Sequence, residues 1–175
     1  MPVHYRFLIM AGLAATSLGL LGASAPTQPT DAATQQTVVD VRAVGTAMWH
    51  WYKEVEEPKR SESAHKKAEE KSHATSVDFK EVPVISRKEL TALLVPKYIP
   101  AIPEKDGWGH SYEFRLNTQD PEAVNVMAVR SGGQDGRFSG DTYEIGAFPA
   151  SDHDQDITWI DGYFARWPEK PKPGR

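Results

Sequence analysis

Asp152, Asp154 and Asp156 alternate just before Ile157, and in an extended segment alternate side chains point to one side. Such a row of carboxylates suits a hard cation such as calcium, which takes six to eight oxygen ligands. It could also do acid–base work, as the paired carboxyls of glycoside hydrolases do. A solvated acidic turn is the plainest reading, and the residues alone leave all three open. An EF-hand is excluded. Counting from Asp152, the sixth position is Ile157 where glycine is needed, and the twelfth is Tyr163 where glutamate is needed.

Other chemistries find little footing. The histidines at 4, 50, 65, 73, 110 and 153 are scattered, without the H-E-x-x-H spacing of a zinc site. His153, between aspartates, could support a metal, although a flanking surface histidine is ordinarily solvated. No G-x-S-x-G elbow is present. Ser131-Gly132-Gly133 is not followed by Gly-Lys-Ser/Thr, so a phosphate loop fails. Asp106-Gly107-Trp108-Gly109 is best read as a tight turn whose Trp108 plugs the core. Cysteine is absent, which removes disulfides, thiolate sites and a thiol nucleophile. A net charge of −4 gives no basic surface for nucleic acid. No enzyme is expected; a secreted acidic-site hydrolase is the alternative.

The elements that must position these residues follow from periodicity. The 175-residue chain, 39% hydrophobic and 25% charged, has room for one modest domain with tails. Residues 34–57 predict a long helix: Val38, Val41, Gly45, Met48, Tyr52 and Val55 form one apolar stripe, and Pro58 stops it. Residues 26–33 are a polar spacer. Residues 58–80, with mixed charges and no apolar period, predict a polar linker or frayed helix. Ser86 and Glu89 form a capping box that opens a short helix with Leu90, Leu93 and Leu94, ended by Pro96.

Strands are predicted over Ser111–Leu116, Val124–Val129, Ile157–Ile160 and Tyr163–Trp167. Asp161-Gly162 joins the last two as a hairpin turn. The fold class is therefore α+β, a long helix packed on an antiparallel sheet of three or four strands. Residues 169–175 are a Pro-rich tail.

The N-terminus predicts export. Arg6, the apolar run Phe7–Gly22 and the small-x-small pattern Ala23-Ser24-Ala25 read as a signal peptide over residues 1–25, giving a periplasmic or secreted protein. The run falls short of the ~20 residues that span a bilayer. An uncleaved segment anchoring the headgroup to a membrane is the alternative.

Three motifs occur in order. Lys105-Asp106-Gly107-Trp108-Gly109-His110-Ser111-Tyr112-Glu113-Phe114 comes first, then Val129-Arg130-Ser131-Gly132-Gly133-Gln134-Asp135-Gly136. Asp154-Gln155-Asp156-Ile157-Thr158-Trp159 and Asp161-Gly162-Tyr163-Phe164 close the chain. With Tyr98-Ile99-Pro100 upstream and the helix from Thr37, this resembles the headgroup of major pseudopilins of the type II secretion system over about residues 34–167.

The resemblance implies a non-enzymatic structural or interaction protein over residues 81–168, with protein partners that include secretion-system components. It also implies a calcium ion held near Asp135, Asp154 and Asp156. Two features depart from the family. The loop carries an insert, Thr142 to Ser151. The basic leader and Gly-Phe-Thr-Leu-Ile-Glu-like start are missing, and signal cleavage would remove the only segment able to enter a filament core.

Overall fold

The computed structural model describes residues 29–71, 74–120 and 122–170. The apolar run, its cleavage pattern and the last five residues lie outside this range. No described helix is long and apolar enough to cross a membrane.

Helix α1, Pro29–Val55, begins earlier than its apolar stripe because Asp31 suits the first turn of a helix. Its buried face holds Thr37, Val41, Val44, Met48, Trp51 and Tyr52. A 3-10 turn, Glu57–Lys59, contains Pro58 and bends the chain into α2, Glu62–Lys71. Ser61 accepts the Ala64 amide proton at 3.1 Å and so caps α2. The polar segment is thus helical in its first half.

In its second half the segment contributes β1, Ser76–Asp78, followed by fully buried Phe79. The expectation of a polar linker across 58–80 fails for Val77 and Phe79. Two apolar residues among polar neighbours are too few to register as a period.

Strand β2, Val84–Ile85, leads into α3, Arg87–Leu94. The capping box forms as expected: Ser86 Oγ accepts the Glu89 amide proton at 3.2 Å, and Glu89 Oε2 accepts that of Ser86 at 3.0 Å. Then come β3, Glu113–Leu116; β4, Met127–Ser131; β5, Thr142–Glu144; β6, Gly146–Phe148; β7, Ile157–Ile160; and β8, Tyr163–Pro168. The main sheet has the order β2-β3-β4-β7-β8-β6. All its pairs are antiparallel except β6 with β8.

The α+β class holds, but the sheet has six strands rather than three or four. The two additions are its edges. Strand β2 is too short to alternate, and β6 lies inside the insert, where glycine and proline obscure any pattern.

Both faces of the sheet are covered. On one, α1 and α3 pack on Phe114, Leu116, Met127, Val129, Ile157 and Trp159. On the other, the separate β1–β5 pair brings Val77, Phe79 and Tyr143 onto Ala128, Ile160 and Ala165. The insert thus supplies half of the ribbon that closes the second face.

Candidate functional site: the loop between β4 and β7

The first sequence motif is a turn docked on the start of α1. The Gly107 amide donates to Thr37 Oγ1 at 3.0 Å, and a Cβ on Gly107 would lie 2.2 Å from the Ala33 carbonyl oxygen. Asp106 is buried beneath this turn. Its Oδ1 accepts the amide protons of Trp108 (3.0 Å) and His110 (2.8 Å), and its Oδ2 accepts the Ser131 hydroxyl at 2.6 Å. Asp106 therefore bolts the first motif to the second. Trp108 packs half-buried against the core, as expected.

After Ser131 the chain folds back on the segment before β7. The Gln134 amide donates to the His153 carbonyl at 2.7 Å. Gly133 has φ 66°, and a Cβ there would lie 2.5 Å from that same carbonyl oxygen, so only glycine fits. His110 and His153 flank the junction, their Nδ1 atoms 3.2 Å from the Gly133 carbonyl oxygen and from Thr34 Oγ1. The two halves of the acidic motif, far apart in sequence, are thus tied through the main chain.

The three carboxylates singled out in sequence have different surroundings. Asp135 is exposed, and its Oδ1 accepts the Arg137 amide proton at 2.9 Å, an ordinary Asx turn. Asp154 is exposed on the facing segment. Asp156 is 3% exposed. Its Oδ2 accepts from the Ser139 amide (2.9 Å), the Ser139 hydroxyl (2.7 Å) and the Tyr143 hydroxyl (2.6 Å). Its Oδ1 is buried with no partner among the described residues, as is Thr158 Oγ1 two residues on. Asp152 instead accepts from the Gln155 amide group at 3.0 Å.

Behind Asp156 stands a charged frame that the sequence did not announce. Arg130 donates to Glu113 Oε1 (3.0 Å), Asp141 Oδ1 (3.0 Å), the Tyr143 hydroxyl (2.8 Å) and the Gly140 carbonyl. Arg115 donates to Glu113 Oε1 (2.6 Å), Asp141 Oδ1 (2.9 Å) and the carbonyls of Phe79 and Val82. Both guanidinium groups face the Phe79 ring, at 5.3 and 5.1 Å from its centroid. Burial pushes the Tyr143 phenol up, and its bond to the Asp156 carboxylate pushes it further, so it stays a donor.

Glu113 and Arg115 alternate with the apolar Tyr112, Phe114 and Leu116, a spacing that in a half-buried strand faces solvent. They are covered because β1 and β5 lie over that face. Arg115 and Arg130 on neighbouring strands, with Asp141 downstream, were the available signal for a buried ionic layer.

Calcium, implied by the resemblance, needs hard oxygens from carboxylates or main-chain carbonyls. Asp156 Oδ1 fits in kind: it is a buried carboxyl oxygen without a hydrogen-bond partner among the described residues. Asp135 and Asp154 offer carboxylates on the two segments that Gln134 ties together. Among the described residues no three His, Asp or Glu side chains are grouped to hold a metal. A calcium shell here would therefore have to draw on main-chain oxygens as well.

The carboxylates of Asp106 and Asp156 each accept hydrogen bonds from internal donors and so tie neighbouring loops together. No protein-family model matches the chain, and no curated protein or solved structure is significantly similar to it.

Proposed function

We propose that this chain is an exported, non-enzymatic, pseudopilin-like headgroup that acts by presenting its surface to protein partners, type II secretion components among them, and that calcium steadies its loop. One observation carries this: the tie between the Ser131–Gly136 loop and the segment before β7, fastened by Asp106–Ser131 and Gln134–His153. It supports the reading because the motifs behind the resemblance serve as mutual fasteners. Calcium would be held by Asp156 Oδ1 with Asp135, Asp154 and main-chain oxygens, and would neutralise carboxylates that otherwise repel one another.

The chain has no cysteine, so a single one can be introduced cleanly. Val39, 60% exposed on α1, is a suitable position. Thiol crosslinking of Val39→Cys in the native host should trap a discrete protein adduct outside the cytoplasm, and the mature chain should begin near residue 26. A chain that retains Met1, resides in the cytoplasm and yields no adduct would overturn the proposal.

A further inference from the structure

Asp161, in the turn between β7 and β8, has φ 44°. Its Oδ1 accepts the amide protons of Val126 and Met127, each at 3.0 Å, while Oδ2 makes no hydrogen bond among the described residues. The residue borders an open cleft of about 490 Å³ between α1, α2, β1 and the turn. That volume falls in the range of small-molecule sites. Trp49 and Tyr163 form aromatic walls, and Val77 and Val126 add apolar surface.

The polar groups at this cleft are mostly acceptors. Asp161 and Asp78 bring carboxylates. Asn125 donates its amide group to the Asp78 carbonyl and leaves its own oxygen as an acceptor. Arg60 is the opposing charge. Its terminal nitrogens hold the Tyr52 hydroxyl (2.8 Å) and the carbonyls of Ala64 (3.2 Å) and Ala123 (2.9 Å), and its Nε is sealed from solvent without a partner among the described residues. Arg60 therefore fastens the corner between α1 and α2 and offers no fork to an anion.

We infer that this cleft binds a primary ammonium group on a short apolar stem, with the Asp161 carboxylate as counter-ion and the Trp49 and Tyr163 rings as walls. Aromatic faces attract cations, and Trp49 already has the Lys53 ammonium 5.5 Å from its ring centroid. Asp161 accepts from the ammonium through Oδ2, while Oδ1 keeps its two amide bonds. Burial pushes this carboxyl up to about 7, opposed by the two amide bonds and by Arg60. A bound cation favours the ionised form, so affinity rises as pH passes through neutrality. Arg60, Asp78, Tyr52 and Tyr163 are the other charged or titratable groups facing it.

The probe is n-pentylammonium chloride, titrated into the intact ¹⁵N-labelled chain at pH 8 and pH 6, with n-pentanol as the neutral control. Saturable shifts are expected at the Trp49 indole N–H and the Val126 and Met127 amides, with weaker binding at pH 6 and none from pentanol. Asp161→Asn keeps both amide bonds and tolerates the positive φ. It should bind about tenfold more weakly and lose the pH dependence. A tripeptide acetyl-Gly-Lys-Gly-amide distinguishes the sources: matching shifts point to a partner's lysine, and shifts from pentylammonium alone point to a free amine. Absence of saturable shifts from both probes, or equal binding by Asp161→Asn, overturns the inference.

Discussion

The Trp159 indole lies so close to Gly45 that a Cβ built there would fall 2.4 Å from the ring. Gly45 is what lets α1 settle onto β7. Alanine normally improves a helix interior by about 1 kcal/mol over glycine. Here overpacking costs about 1–3 kcal/mol and wins. Gly45→Ala should therefore lower the urea midpoint without changing the slope. A raised midpoint would mean that α1 is not seated on Trp159.

Arg130 should rank among the most sensitive charged positions. Its side chain is 4% exposed and bridges Glu113 and Asp141. Its removal leaves Glu113 and Asp141 to Arg115 alone and takes a donor from the Tyr143 hydroxyl, and breaking a buried ion pair costs about 3–5 kcal/mol. Arg130→Ala is expected to fall in that range by denaturant titration. Lys97→Ala, which breaks the exposed pair with Glu54, should leave stability unchanged. Equal effects from the two variants would contradict a closed second face.

Asp161 predicts a pH dependence of unusual sign for a carboxylate. Its folded pKa of about 7 lies above the ordinary value of 3.8. Between these limits the folded chain keeps a proton that the unfolded chain has released, so the contribution of Asp161 to stability falls as pH rises from about 4 to 7, then levels off. Asp161→Asn should remove this slope. The variant should match the parent near pH 4 and exceed it at pH 8 by about 2 kcal/mol, less than the full displacement implies because the residue is only half-buried. Parallel pH profiles for the two proteins would refute the assignment.

Calcium should raise the melting temperature of metal-stripped protein by several degrees relative to chelator, since an ion bound only to the folded state adds about 2.7 kcal/mol at a hundredfold excess over Kd. Asp135→Ala and Asp156→Asn should each abolish the difference, and magnesium should substitute poorly. Coincident melts would leave Asp135 and Asp154 as solvated turn residues.

Local signals were the legible part of this fold. Ser86 with Glu89 marked a helix start, Asp161-Gly162 marked a hairpin, and the α1 stripe marked the main core. Each is a short-range rule in which the residues themselves make the bonds. The second face could not be read this way, because Phe79 and Tyr143 are buried only once β1 and β5 meet across an interval of the chain with no period. The acidic cluster was visible as composition. The separation of buried, donor-engaged Asp156 from exposed Asp135 and Asp154 depends on Ser139 and Tyr143, which carry no motif. Asp106 was read as a turn residue, and its bond to Ser131 across the two motifs is a tertiary fact.

The main sheet ends on both sides in strands too brief to template another chain. At one margin β2 spans Val84–Ile85 between Pro83, which has no amide proton, and the capped start of α3. At the other, β6 spans Gly146–Phe148 and is followed by Pro149. A neighbouring molecule would find no ladder of free amides and carbonyls long enough to extend. Edges this short give little template for continuous cross-strand aggregation between copies of the chain.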